Sequence, residues 1–165
     1  MVFVDVDHET STDGHLAVSE RQTLVYLGPQ ANDSPLVPPV TSDDDFDFSA
    51  WDTHRAVTPD ERLLFRFSAL TFNTHRIHYD APYAQNVERY RGLVVHGPLT
   101  ASLLLQLAAE CFGENRLARF AFRGVSPAIA GERLHLVIRG EGEAIELGAF
   151  AGDGRQVTKA SAKLA

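Results

Sequence analysis

The sequence predicts an α+β fold in which an antiparallel sheet wraps around one long apolar helix. The segment PLTASLLLQLAAECFG repeats apolar residues at helical spacing, which indicates a buried helix. The segments after it are rich in β-forming residues and are separated by glycine-containing turns, which indicates three or four antiparallel strands. A chain of 165 residues is long enough for one ordinary hydrophobic core.

The N-terminal part, residues 1–28, is predicted to form a β-hairpin. The segments VFVDVDHET and LAVSERQTLVYLG have the character of strands, and Asp13-Gly14 is a hairpin turn signal between them. Such a hairpin is barely stable alone and is expected to dock on other structure.

Residues 29–59 are predicted to be an acidic, proline-rich linker, because five of the eight prolines and a run of aspartates fall there. Phe46, Phe48 and Trp51 interrupt this composition. We expect these aromatic residues to pin the segment across a surface rather than to bind a separate partner.

The main domain is predicted to occupy residues 60–165. Within LLFRFSAL, Phe65, Phe67 and Ala69 alternate, which favours a strand. FNTHRIHYD then forms a loop, and APYAQNVERY forms a short helix with a proline near its first turn. The long helix ends at Gly113. The remaining strands are RLARFAFRGV, ERLHLVIRGEG, EAIELGAFAGDG and RQVTKASAKLA.

Composition excludes several function classes. The net charge of −7 and the lack of a Lys/Arg cluster argue against a nucleic-acid partner. Cys111 is the single cysteine and falls in the apolar stripe of the long helix, so neither a disulfide framework nor a cysteine nucleophile is expected. No signal peptide or membrane-spanning run is found, and a cytoplasmic location is expected.

The loop FNTHRIHYD, residues 72–80, could be a metal site, an acid/base apparatus or an ordinary polar connection. His75 and His78 lack a third ligand at a zinc-site spacing, so no metal is expected. His78 can take and give a proton near neutral pH, and Asn73 can orient a water molecule. GEGE and GDGR are turns rather than dinucleotide fingerprints, and no cofactor is expected.

The segment HGPLTASLLLQLA carries the second chemical signal. Gly97 and Pro98 lie where the long helix begins, and the first N–H groups of a helix have no partner within it. The helix dipole adds partial positive charge at this end, and glycine permits close approach of a ligand. This start suits a developing oxyanion.

Together, FSALTFNTHRIHYDAPYA and GLVVHGPLTASLLLQLA resemble the hydratase 2, or MaoC-like, hot-dog family. The likeness is greatest to the branch with mesaconyl-CoA hydratase and the mitochondrial-type 3-hydroxyacyl-thioester dehydratases, and covers residues 61–165. The resemblance implies a hot-dog fold and reversible addition of water to an enoyl-CoA, giving an (R)-3-hydroxyacyl-CoA. A mesaconyl-CoA-type substrate would suit this branch.

The family motif has a catalytic Asp and His five residues apart, and these positions hold Asn73 and His78 here. The change to Asn73 matches the mesaconyl-CoA hydratase branch and moves the proton transfer toward His78. The resemblance also assigns Gly97 to binding of the thioester carbonyl, and we include its neighbours His96 and Pro98 in the oxyanion and substrate-binding set.

His75 and Arg76 are further candidates for contacts with substrate. Arg76 could pair with a substrate carboxylate or a coenzyme A phosphate, or form a surface ion pair. Asp80 could orient His75, although capping of the following helix is the better prediction.

The same branch fuses two hot-dog halves, and residues 1–28 resemble the end of a first half. The chain would then carry the tail of one half and all of the second, and a homodimer or pairing with another hot-dog half is expected. Two alternatives stay open: a catalytically incomplete subunit that serves binding or assembly, and a hot-dog thioesterase with Glu88 as its nearest carboxylate.

Overall fold

The computed structural model describes residues 1–26, 44–140 and 142–165. It divides into two compact units, of which the first contains the N-terminal hairpin and the second contains everything from residue 44 onward. Residues 27–43, which comprise the end of the predicted hairpin segment and the first part of the expected linker, lie outside the described residues. In the described ranges, the helices are too short or too polar to cross a membrane.

The first unit is the predicted hairpin. Strand β1 spans Val2–Thr12 and pairs antiparallel with β2, His15–Tyr26. Asp13 and Gly14 between them both have positive φ, 50° and 80°, as a tight hairpin turn requires. Most side chains of this unit are exposed, including many of its apolar ones.

The second unit is built on a five-stranded antiparallel sheet with the strand order β3-β5-β6-β7-β4. Its elements follow in chain order: β3 Thr53–Val57, α1 Glu61–Leu70, a 3-10 turn Arg76–His78, α2 Ala81–Asn86, α3 Gly97–Phe112, β4 Leu117–Gly124, β5 Leu134–Arg139, β6 Ile145–Ala151 and β7 Gln156–Leu164. The turn between β6 and β7 contains Asp153-Gly154, as the sequence predicts.

Helix α3 packs on one face of this sheet and forms the core with it. Leu104 and Leu107 of the helix are buried together with Leu136 and Leu147 of the strands. The predicted long apolar helix and its stop at Gly113 (φ 97°) are confirmed. Cys111 was expected in the apolar stripe, and this is wrong: its side chain lies on the exposed side of the helix.

The segment LLFRFSAL is a helix, α1, and not the predicted strand. Asp60 caps it, because its carboxylate accepts a hydrogen bond of 2.8 Å from the backbone N–H of Leu63. Leu64 and Ser68, one turn apart, are the buried residues. The alternating phenylalanines suggested a strand. The cap at Asp60 and the burial of residues at helical spacing favour the helix instead.

The described end of the expected linker is part of the second unit. Thr53–Val57 form β3 and pair with β5, so the prediction of linker structure for these residues is wrong. Just before β3, Phe46 stacks on Phe150 with ring centroids 4.7 Å apart. Asp44 accepts a 2.5 Å hydrogen bond from Nε2 of the buried His135. These contacts hold residues 44–51 across the sheet, as the aromatic residues predict.

Candidate active site

The loop after α1 carries the residues that the sequence singled out. The N–H of Asn73 bonds to the carbonyl of Ser68 at 2.9 Å, which closes the end of the helix. The side-chain Oδ1 of Asn73 accepts a 2.9 Å hydrogen bond from the backbone N–H of His75. Asn73 thus shapes the loop with its oxygen, while its amide NH₂ makes no hydrogen bond within the described residues.

The 3-10 turn Arg76–His78 directs His78 inward, and its side chain is buried. Nδ1 of His78 lies 2.7 Å from the backbone carbonyl of Val94. A carbonyl only accepts, so Nδ1 carries the proton and Nε2 holds the lone pair of the neutral ring. The N–H of Val94 bonds back to the carbonyl of Ile77 at 2.9 Å, which fixes the two segments together.

Burial lowers the pKa of His78 below its ordinary value, a proton on His75 would lower it further, and the bond to Val94 opposes this. His78 is therefore neutral at neutral pH. A buried histidine with one nitrogen fixed and the other unprotonated is suited to act as a general base.

The ring of His96 lies against the ring of His78. Their centroids are 3.6 Å apart and their planes are inclined by 19°. His96 is fully buried, and its Nε2 lies 2.8 Å from the hydroxyl of Ser68. Burial lowers the pKa of His96 to about 4. The side chain predicted to contact substrate is thus placed beside the base, under the protein surface.

Helix α3 begins immediately after His96. No side chain caps this end, and Gly97 and Pro98 are exposed. A Cβ placed on Gly97 would meet nothing within 4 Å, so space is open beside this backbone. The first-turn N–H groups have no acceptor within the helix, and the dipole makes this end electropositive. The structure therefore brings His78 and the start of α3 together through His96.

His75 and Arg76 lie at the surface of the same loop. The ring of His75 meets that of His78 edge-on, with centroids 5.4 Å apart. Arg76 pairs with Asp80 at 2.7 Å and lies over the ring of Tyr83, 4.0 Å from its centroid. Arg76 is thus held in a surface ion pair.

Asp80 caps α2, with 3.0 Å between its carboxylate and the N–H of Tyr83, so the predicted capping role is confirmed. Glu88, the carboxylate considered for a thioesterase, accepts a 2.8 Å hydrogen bond from the hydroxyl of Tyr83. It is therefore engaged beside α2.

Ser68 is the site residue that the sequence interpretation missed. Its hydroxyl faces the fully buried His96 only because α1 is a helix, so the mistaken strand concealed it. The spacing of Leu64 and Ser68 and the capping signal at Asp60 could have revealed it.

The sequence of this chain matches a known protein family. The family model for hydroxyacyl-thioester dehydratase type 2 matches residues 1–130. The chain belongs to this family. It is 42% identical over 164 residues to mesaconyl-C(4)-CoA hydratase of Chloroflexus aurantiacus, a match covering 99% of this chain and 56% of the relative. It is 33% identical over 125 residues to the mitochondrial hydroxyacyl-thioester dehydratase type 2 of Schizosaccharomyces pombe, covering 74% and 39%.

Solved structures support the fold of this family member. The R-hydratase PhaJ1 of Pseudomonas aeruginosa matches with a TM-score of 0.62 and 20% identity, covering 68% of this chain and 77% of that one. HtdX of Mycobacterium tuberculosis matches with a TM-score of 0.73 and 17% identity, covering 98% and 61%. The predicted hot-dog fold, an antiparallel sheet around one long helix, is confirmed. The chain spans only about half the length of the curated relatives it matches.

Proposed function

We propose that this chain is a hydro-lyase that reversibly hydrates an enoyl-CoA to an (R)-3-hydroxyacyl-CoA. The observation that carries the proposal is the pairing of a neutral, buried His78 with the uncapped start of α3. The relative that hydrates mesaconyl-C(4)-CoA favours a branched, dicarboxylic acyl group of that type as substrate. The reaction needs no cofactor, since a base and an oxyanion site suffice.

In this mechanism the thioester carbonyl accepts a hydrogen bond from the backbone N–H of Gly97. Asn73 and His78 hold a water molecule against the β-carbon. Nε2 of His78 takes one proton of the water as its oxygen bonds to that carbon. The electron pair of the double bond moves to the thioester oxygen, where the fixed dipoles of α3 stabilise the enolate.

The reaction closes when Nε2 of His78 gives this proton to the α-carbon of the enolate. One water is added, and His78 returns to its neutral form. The hydrogen bond from Nδ1 to Val94 becomes charge-assisted while His78 is protonated, which stabilises the intermediate. Dehydration is the same path reversed.

Two other functions compete with this one. A hot-dog thioesterase would need a carboxylate near the start of α3, and Glu88 is bonded to Tyr83 instead. A catalytically incomplete subunit is favoured by the replacement of the second acid by Asn73.

One assay separates the three functions. The purified chain is incubated with crotonyl-CoA and with mesaconyl-CoA, and enoyl absorbance and free thiol are followed together. Loss of absorbance without thiol supports the hydratase. Thiol release indicates a thioesterase, and no change indicates an incomplete subunit.

The role of His78 is tested in the same assay. His78→Ala should lower hydration by at least about 10²-fold, the usual contribution of a general base, while the fold persists. His15→Ala, in the exposed hairpin, is the matched control and should keep full activity. Hydration retained by His78→Ala would contradict the mechanism.

We further propose that the chain works in the cytoplasm as a homodimer or paired with another hot-dog half. The lone cysteine suits a reducing compartment. The outer edge of β4 supports pairing, since β4 is bonded only to β7 in the described sheet. An unpaired strand edge is a template for another strand.

A further inference from the structure

Three residues from three elements form a buried column beside the start of α3. Ser68 comes from α1, His78 from the 3-10 turn and His96 from the residue before α3. The hydroxyl of Ser68 lies 2.8 Å from Nε2 of His96, and the ring of His96 lies 3.6 Å from that of His78. All three side chains are buried. The mechanism above uses only His78.

The hydrogen bonds of His96 require a neutral ring. Nε2 meets Ser68, whereas Nδ1 is buried and has no partner among the described residues. Protonation would put an N–H on both nitrogens and leave the one at Nδ1 buried and unpaired, which costs free energy. Geometry and the pKa of about 4 agree that His96 is uncharged under working conditions.

The surroundings of the stacked rings contain few titratable groups. Among the described residues, the charges that shift the pKa values of His78 and His96 come from these two rings and from His75, which meets His78 edge-on. From α1, the ring of Phe67 approaches His96 at 4.9 Å. The carbonyl of Val94 faces Nδ1 of His78. A neutral, flat His96 can therefore lie against His78 in both charge states of His78 without repelling it.

We propose that Ser68 and His96 are positioning residues that fix the ring plane of His78 and keep water from that face. Ser68 sets the orientation of the His96 ring, and the stacked His96 ring prevents His78 from tilting about its bond to Val94. Nε2 of His78 then points to one place, where the substrate water lies. The expected effects on kcat and on its pH profile rest on the proposed hydratase function. The expected effects on the tautomer and pKa of His78 do not.

Three variants test the column. His96→Phe keeps a flat ring and removes both nitrogens. His96→Leu keeps apolar volume and removes the flat ring. Ser68→Ala removes the hydroxyl and leaves His96 free to turn. Ser161→Ala, an exposed serine on β7, is the matched control.

The first readout needs no turnover: ring-nitrogen NMR of labelled protein gives the tautomer and pKa of His78. Because burial is the main cause of the lowered pKa, water entering beside His78 should raise it toward the ordinary value. We expect this rise in His96→Leu and Ser68→Ala, a smaller rise in His96→Phe, which keeps the flat ring but loses the bond to Ser68, and a wild-type value in Ser161→Ala.

The second readout is the pH profile of hydration. In His96→Leu and Ser68→Ala the acidic limb of kcat/KM should move to higher pH, and kcat should fall roughly 10- to 100-fold with little change in KM. In His96→Phe, which keeps the flat ring but not the bond to Ser68, the loss of kcat should be smaller than in His96→Leu. A purely structural role would lower the melting temperature without moving the limb.

An unchanged pKa and tautomer of His78 in Ser68→Ala would overturn the proposal, even if His96→Leu fails to fold. Equal loss in His96→Phe and His96→Leu would also overturn it, because the flat ring would then not matter. If the wild type shows no hydration, the hydratase function fails, and the NMR result still decides whether the column positions His78.

Discussion

At the scale of single residues, Val94 determines which nitrogen of His78 is basic without contributing a side chain. Its carbonyl holds Nδ1 at 2.7 Å and so leaves Nε2 as the basic nitrogen. Asn73 is constrained in a similar way, since its oxygen is used by the N–H of His75. The amide NH₂ group of Asn73 remains for water or substrate. Two substitutions of Asn73 test its role.

Asn73→Asp keeps an oxygen for the N–H of His75 and removes the NH₂ donors. We expect an unchanged melting temperature and a kcat lowered about 10-fold, because the water loses one holding group. Asn73→Ala should lower both, since the loop also loses a hydrogen bond that contributes about 1 kcal/mol. Thermal denaturation and initial rates check this. A higher kcat in Asn73→Asp would mean that the site instead lacks a second acid.

Gly97→Ala tests the oxyanion site through sterics alone. The added Cβ meets nothing in the free protein and φ is not positive, so folding should be unaffected. Close approach of the thioester oxygen should be hindered, and kcat/KM should fall roughly 10-fold or more. Gly124→Ala on β4 also places its Cβ in open space and should leave the rate unchanged. Equal rates for both variants would remove Gly97 from the mechanism.

At the scale of elements, α1 and β3 show what sequence patterns could and could not predict. The hairpin, α2, α3 and the four C-terminal strands have local signals and were predicted. β3 has five residues in an acidic, proline-rich context, and its strand character comes from pairing with β5, some eighty residues later. α1 had competing signals, and burial of Leu64 and Ser68 decided between them.

The outer face of α1 also supplies a candidate anchor for coenzyme A. A surface groove of about 460 Å³ is lined by Glu61, Arg62, Phe65, Arg66, Tyr79 and Leu93. Arg62 and Arg66 lie one turn apart and have no ion-pair partner among the described residues, whereas Arg76 is held by Asp80. The groove adjoins the site, because Tyr79 follows His78 and Leu93 precedes Val94.

Replacing both arginines by glutamine should therefore raise KM for CoA thioesters several-fold and leave kcat unchanged, since phosphate contacts bind substrate and transition state alike. The N-acetylcysteamine thioester of the same acid lacks the phosphates, and its KM should not change. Arg116→Gln, an exposed arginine before β4, is the control. An unchanged KM for the CoA thioester would place the phosphates elsewhere.

At the scale of the whole molecule, the edge of β4 that has no partner strand among the described residues is the candidate subunit interface. Phe122 pairs in register with the buried Ala160, so it projects to the helix side of the sheet, yet 42% of it is exposed. A second hot-dog sheet joined at this edge would continue the hydrogen bonds of β4 and cover Phe122. In a two-fold homodimer the same residue is buried on both subunits.

Phe122→Lys should consequently shift the dimer toward monomer. Burying one phenylalanine contributes about 1.5–3 kcal/mol, and a symmetric interface loses it twice, so the dimer dissociation constant should rise at least about 100-fold. Sedimentation velocity over a concentration series measures this. Leu70→Lys, which adds the same charge at an exposed leucine ending α1, should leave the dimer intact. A monomeric wild type would exclude a homodimer, and a Phe122→Lys dimer as tight as the wild type would place the interface away from β4.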